Sequence, residues 1–361
     1  PYTTLFRSRR ASYSIWSSLL PAVEYEKFRA ESLTEICRFL YNTAKKYDYI
    51  HPIMIDGTSA MILVDDLTLR NCDEFETAYV PDIYGATFYP KSWGKNFKDT
   101  PWTLSMYFSI PAGAARKAHK PYFVNELQTH TQSVLTPGSE VSCEELVSWT
   151  LMCVFTGLSG MQLWRWRPFL HGYQATGRGL TRIDGCPNKR AIAVNSLLEV
   201  IHNNGELFDD FRISRPAVRI AYSYGGRLFF DSLLKFGVTG KTFWAKNMEG
   251  WYKLFWNWGM PAEMTDLERL NEDDFETPVM IVPGAVCVSE TQAQSLCRYV
   301  ENGGILIADG RIGALDDRGC VPPEGIPGKT LSKLFGIVEA DVGSGGRMLV
   351  GGNVLPTGFE T

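Results

Sequence analysis

Residues 119–132 read His-Lys-Pro-Tyr-Phe-Val-Asn-Glu-Leu-Gln-Thr-His-Thr-Gln. Pro121 to Val124 is a short apolar run rich in β-formers and predicts a buried strand. Asn125 and Glu126 fall where that strand should end, with Gln128, His130 and Gln132 just beyond. Burying a charge without partners is strongly unfavourable, so Glu126 has two readings. It is a strand-end glutamate facing solvent, or a catalytic carboxylate at the C-terminal mouth of a barrel strand, where such barrels keep their chemistry.

The chain on either side alternates. Before the strand, an amphipathic helix spans 21–47, with Tyr25, Phe28, Leu33, Ile36, Leu40 and Ala44 at three- to four-residue spacing. A short strand over 51–55 stops at Asp56-Gly57, a helix is expected over 61–70, and Cys72 to Thr77 reads as polar loop. The next strand lies within 80–90, and 101–117 is helical, with Pro111 expected to kink or break it. After the central strand come a helix over 144–156, a strand over 161–167 and a helix over 188–203. This makes four strand–helix units, with connections long enough for parallel pairing. A closed (β/α)8 barrel has eight, so either the sheet is open or half of a barrel lies upstream.

A polar stretch through Asp209, Asp210, Arg212 and Arg215 marks a boundary. Beyond it come a strand over 217–223 and a helix over 243–259 carrying Trp244, Trp251, Trp256 and Trp258. A Val/Ile strand over 278–283 and a helix over 290–301 follow, the helix stopped by Asn302-Gly303-Gly304. A strand over 304–308 and a short helix over 329–335 complete what reads as a small doubly wound sheet. Gly328-Lys329-Thr330 is no phosphate loop, because Pro323 stands where its first glycine belongs. The glycine-rich run at 343–346 lacks the strand and helix of a dinucleotide fingerprint.

Composition narrows the function classes. The 361 residues are 45% hydrophobic and 21% charged, which suits two globular domains. A net charge of −4 and the absence of a basic stripe exclude nucleic acid as a partner. The 8 cysteines are scattered, without zinc-site spacing or disulfide density, and read as reduced thiols of a cytoplasmic protein with no metal and no cofactor. The longest apolar stretch, Leu146 to Trp164, is interrupted by Thr156, Gly157, Ser159 and Gly160, and is no membrane span. Aromatics make up 13% of the chain, which fits a carbohydrate site, although core filling accounts for most of them. Pro1 to Ser8 is the in-frame translation of a widely used sequencing-library adapter and is set aside as non-native. The chain is thus expected to be an assembled environmental fragment, cut at both ends.

A family resemblance enters with Gln162-Leu-Trp-Arg-Trp-Arg-Pro168, Gly172-Tyr173-Gln174, Gly179-Leu180 and Asp184-Gly185-Cys186-Pro187. In order and spacing these motifs resemble the last barrel strand of glycoside hydrolase family 42 β-galactosidases. Tyr299 to Ile307, Asp316-Asp317, Gly328 to Leu331 and Leu334-Phe335-Gly336 resemble that family's trimerisation domain. The resemblance implies a partial TIM (β/α)8 barrel over 9–212. Over 213–361 it implies a doubly wound α/β domain of flavodoxin-like or glutamine-amidotransferase-like type.

It also implies a retaining enzyme acting on terminal β-D-galactosides, a homotrimer without membrane contact, and Glu126 as nucleophile at the end of the seventh barrel strand. Retaining chemistry pairs an ionised carboxylate with a protonated one roughly 5–5.5 Å away. Arg165, Arg167 and Gln128 are the candidate donors that would keep Glu126 ionised. Tyr89 matches the end of the sixth strand, and Trp166 a tryptophan near the galactose site. Asn125, Arg167 and Gln174 join them as substrate-binding candidates. Gln174 replaces the family's usual sugar-binding glutamate, and Gly177 stands where a histidine is common. That leaves room for a related glycosidase, such as an α-L-arabinopyranosidase, or for a carbohydrate-binding descendant. The acid/base glutamate is expected upstream of residue 9. Without it the 361-residue chain should not turn over, since general acid help contributes about 10²–10⁴-fold.

Overall fold

Apolar strands separated by amphipathic helices can bury both kinds of element in one arrangement, a parallel sheet with helices packed on its faces. The computed structural model describes residues 20–57, 72–91, 100–130, 140–172, 174–175, 178–209, 215–235, 243–309, 311–340, 348–350 and 353–355. The first unit runs α1 (Leu20–Tyr47), β1 (Met54–Gly57), α2 (Glu74–Thr77), β2 (Ile83–Phe88), α3 (Pro101–Lys117), β3 (Tyr122–Gln128), α4 (Cys143–Phe155), β4 (Gly160–Trp164), α5 (Lys189–Asn203) and α6 (Gly205–Asp209). Its strands lie in the order β1-β2-β3-β4 and every pairing is parallel. Each strand therefore adds beside the one before it, as in an arc of a (β/α)8 barrel.

Several local expectations change. Cys72 to Thr77 is not loop: Asp73 caps α2 by accepting from the Glu76 backbone N–H at 3.1 Å, and Glu74, Phe75 and Thr77 are buried. Pro111 does not break α3, which runs unbroken with residues 103–115 almost entirely buried. The packing around α3 outweighs the lost backbone hydrogen bond. Strand β1 begins at Met54 and takes in Asp56 and Gly57, and β4 stops at Trp164 rather than continuing to Arg167. The helix expected over 61–70 and the glycine run at 343–346 lie outside the described residues.

The second unit holds β5 (Val218–Tyr222), α7 (Tyr224–Lys235), α8 (Phe243–Asn257), β6 (Ala262–Asp266), α9 (Glu272–Phe275), β7 (Val279–Val282), α10 (Glu290–Glu301), β8 (Ile305–Ala308) and α11 (Lys329–Phe335). The parallel order β6-β5-β7-β8 is that of a doubly wound, flavodoxin-like sheet. A short antiparallel pair, β9 (Met348–Val350) and β10 (Asn353–Leu355), follows. Ser289 and Gln292 form a capping box at the start of α10. At its end Gly303 takes φ +91° and the Gly304 N–H returns to the Tyr299 carbonyl at 3.1 Å.

The two units share a core. Phe88, Phe108, Ile110 and Val124 of the first belong to one contiguous cluster with Val218, Ile220, Met264 and Ile281 of the second. A second cluster, around Met280, Leu296 and Tyr299, lies within the second unit. Helix α3 approaches β6 so closely that a Cβ at Gly113 would lie 2.4 Å from the Met264 carbonyl oxygen. Charge seals the same joint. Lys117 of α3 and Arg219 of β5 both meet the fully buried Asp274 carboxylate at 2.5 Å, and Thr265 donates to it at 2.6 Å.

Candidate active site

The pairing of β3 with its neighbours slips at one place. On the β2 side Ala86 faces Val124, but Thr87 faces Glu126, so Asn125 is skipped. On the β4 side Val124 faces Met161 and the next pair is Leu127 with Leu163. This is a β-bulge, a device that bends a strand and re-aims a side chain, common at barrel rims. The strand expected to end at Val124 therefore continues to Gln128, with Asn125 and Glu126 inside it.

Tyr89, one residue past the end of β2, donates its phenol O–H to Glu126 Oε2. The structure thus joins these two sequence-predicted residues directly. Asn125 is buried beside them, and its amide lies over Gly85, where a Cβ would come within 2.3 Å of Asn125 Oδ1.

Two of the three donors expected for Glu126, Gln128 and Arg165, are engaged elsewhere. Gln128 accepts from the Lys91 backbone N–H at 2.8 Å and donates to the His130 carbonyl at 3.0 Å, tying the chain after β2 to the chain after β3. Buried Arg165 holds Gln174, at 3.1 Å to its Oε1 and 2.5 Å to its backbone carbonyl, and lies 3.9 Å over the Phe169 ring. Arg165 and Gln174 form a second group beyond β4. Trp166 is 58% exposed and Arg167 is also exposed, while the Trp166 carbonyl accepts from Thr181 at 3.1 Å. Gly177 lies outside the described residues.

His130, just past β3, is buried with its Nδ1 3.0 Å from Thr129 Oγ1. Burial first, then the charges of Arg165, Arg190 and Arg178, push its pKa down to about 4, so the imidazole is neutral at physiological pH. Sequence reading also passed over Asp56, because Asp-Gly reads as punctuation at a strand end. In the fold it sits in β1, and it accepts from Thr87 of β2 at 2.7 Å. The signal available was its place at the C-terminal end of a barrel-type strand, where polar residues gather for function.

Residues 217–344 match the family model described as "Beta-galactosidase trimerisation domain". The chain resembles the glycoside hydrolase family 42 β-galactosidases. Beta-galactosidase BgaP of Planococcus sp. (strain L4) is 23% identical over 344 residues, covering 89% of this chain and 44% of that protein. The β-galactosidase structure from Bacillus circulans sp. alkalophilus superposes with a TM-score of 0.76 at 17% identity, over 92% of this chain and 47% of its own. Gan42B, a GH42 β-galactosidase from G. stearothermophilus, gives 0.74 at 16% identity, over 90% and 47%. These likenesses show a shared parallel α/β fold, and the chain spans about half the length of the relatives it matches. Among the described residues no helix is long and apolar enough to cross a membrane, and no group of three or more His, Cys, Asp and Glu side chains is placed to hold a metal ion.

Proposed function

We propose that the protein to which these residues belong is a retaining glycoside hydrolase acting on terminal β-D-galactosides, with Glu126 as nucleophile. The observation that supports this reading most is the Tyr89–Glu126 hydrogen bond at a bulge inside a central parallel strand. A phenol donor stabilises a carboxylate before it attacks and orients its free oxygen toward an anomeric carbon. In this reading Glu126 displaces the aglycone to form a glycosyl-enzyme ester. A second carboxyl protonates the leaving oxygen, then deprotonates the water that hydrolyses the ester. That second glutamate is assigned, by family resemblance, to a barrel strand preceding β1. Asn125, Trp166, Arg167 and Gln174 are proposed to surround the sugar. The second unit is proposed to assemble the protein as a homotrimer.

The test is covalent trapping. The full-length protein is treated with a 2-deoxy-2-fluoro-β-galactosyl fluoride and digested, and the adduct is located by mass spectrometry. The expected adduct is on the peptide containing Glu126 and is absent in Glu126→Gln. An adduct on another carboxylate sinks the assignment. The 361-residue chain alone is expected to leave a nitrophenyl β-galactoside intact.

A further inference from the structure

Past the bulge, Glu126 and Gln128 stand two residues apart in β3 and project from one face of the strand. Glu126 meets the Tyr89 phenol, and Gln128 meets the backbone of Lys91, two residues beyond Tyr89. The two contacts and the short segments between them close a ring across the ends of β2 and β3. The Gln128 side chain is only 1% exposed, and both ends of its amide are bonded. Oε1 accepts from the Lys91 N–H at 2.8 Å, and Nε2 donates to the His130 carbonyl at 3.0 Å. A backbone N–H can only donate and a carbonyl can only accept, so this amide has a single orientation.

The ring has little slack. Pro90 joins Tyr89 to Lys91. Its own φ is fixed, and it confines the preceding Tyr89 to extended backbone. The position of the Lys91 backbone is therefore passed on to Tyr89. Lys91 is anchored in turn, with Nζ donating to the Glu140 carbonyl at 2.9 Å and lying 2.7 Å from Glu145 Oε2 of α4. The far edge of β3 is tied down as well, since the Trp164 carbonyl accepts from Thr129 N–H at 2.9 Å and from Thr129 Oγ1 at 2.7 Å. The near edge is the weak one. There the bulge disrupts the ladder, and the register resumes through Thr87 with Glu126 and Phe88 with Leu127. The buried Gln128–Lys91 bond lies just beyond those pairs and keeps the two strand ends in step.

We propose that Gln128 is a positioning residue: by fixing the Lys91 backbone it sets the Tyr89 phenol against Glu126 Oε2, and so aims the other carboxylate oxygen. This rests on the reading of Glu126 as nucleophile. Gln128 acts through Lys91 and Tyr89, not on the sugar. Misplacing a reacting group by about 1 Å costs about 10²-fold in rate. Loss of the clamp should therefore slow the attack by Glu126 and leave sugar affinity nearly unchanged.

The test is made on the full-length protein with two variants. Gln128→Met keeps the length of the side chain and removes both hydrogen bonds. Gln128→Glu keeps both while its carboxyl is protonated; once ionised, it can no longer donate to His130. Burial holds such a carboxyl above its ordinary pKa of about 4.3, so the switch falls between about pH 5 and 8. The readouts are the rate at which the fluorinated galactoside labels Glu126 and the affinity for methyl β-D-galactopyranoside by titration. Taking each rate as a ratio to wild type at the same pH cancels the titration of Glu126, His130 and Lys91, which both proteins share. In Gln128→Met the expected labelling is about tenfold or more slower at every pH, with affinity within about twofold of wild type. In Gln128→Glu it should be near wild type at the acid end and fall by a similar factor toward the alkaline end. That reversal within one protein keeps the test decisive if Gln128→Met fails to fold. Labelling within about twofold of wild type in both variants at every pH overturns the clamp, and so does a loss of affinity as large as the loss of rate. Wild-type protein that takes no label at Glu126 refutes the nucleophile reading and this role with it, whereas normal wild-type labelling with unaffected variants refutes the clamp alone.

Discussion

Lys117 Nζ of the first unit lies 2.5 Å from Asp274 Oδ2 of the second, with the two side chains only 4% and 0% exposed. Arg219 Nη1 lies 2.5 Å from the other oxygen of the same carboxylate. One buried anion therefore holds two cations from two parts of the fold. The two ends of this contact should respond differently to truncation. Asp274→Ala leaves Lys117 buried without an anion and Arg219 with only its longer 3.7 Å contact to Glu263, and should destabilise the protein by about 3–5 kcal/mol. Lys117→Met keeps the stem's volume and leaves Asp274 with Arg219 and Thr265, so it should cost clearly less. Urea denaturation followed by tryptophan fluorescence measures both, and equal losses would contradict this account of the joint.

Glu74 supplies a pH dependence. It is fully buried, both carboxylate oxygens lack hydrogen-bond partners, and burial pushes its pKa up to about 8, with Arg227 pulling against that shift. The unfolded chain releases this proton near pH 4.3, whereas the folded chain keeps it to about 8. The folded state thus binds more protons between these values, and this group's contribution to stability falls as pH rises through that window. Glu74→Gln removes the dependence. The stability of the variant relative to wild type should climb from about pH 4.5 to 8 and level off above. Thermal unfolding at half-unit pH steps checks the slope, and a constant difference would be the wrong result.

Tyr89→Phe deletes the only donor hydroxyl that Tyr89 can offer Glu126 while keeping its ring. A hydrogen bond to a charged group contributes about 1.5–3 kcal/mol, which corresponds to roughly 10–100-fold in rate. Labelling of Glu126 by the fluorinated galactoside in the full-length protein should slow by that factor. A rate within twofold of wild type would remove Tyr89 from the mechanism.

Glycines at two positions should behave oppositely. Gly85→Ala drives a Cβ to 2.3 Å from Asn125 Oδ1, so the amide must move. Overpacking of this kind costs about 1–3 kcal/mol, and galactoside affinity should fall with it. Gly250→Ala lies in α8 with open space around the new methyl. It should stabilise the fold by about 0.8–1 kcal/mol through helix propensity and leave affinity unchanged. Melting temperatures and the galactoside titration together separate these outcomes.

Much of this architecture was legible in the residues. Tyr122-Phe123-Val124 and Val279-Met280-Ile281-Val282 are β-rich apolar runs, and both are strands. Strand β6, Ala262-Glu263-Met264-Thr265-Asp266, carried no such signal and was not read. Its polar members are buried because Arg116 pairs with Glu263, Thr265 donates to Asp274 and Arg269 pairs with Asp266. Arg116 is distant in sequence, and the other two partners lie beyond the end of the strand, so the strand's own residues do not announce them. Helix α7 opens Tyr-Gly-Gly, which lowers helix propensity, and it too was missed. At the site, Tyr89 and Glu126 were both named, but the bulge was not. A bulge is a property of the pairing between strands, and a single strand's sequence does not contain it.

The core that runs without a break from Phe88 and Val124 into Ile220 and Met264 has a bearing on how such proteins can diverge. Neither sheet can be traded for a relative's as an independent cassette, because α3 is moulded to both. A chimera joined near residue 213 would inherit mismatched packing unless α3 travelled with the second sheet. Substitutions on that one helix are therefore constrained from two directions at once, by the first sheet on one side and the second on the other.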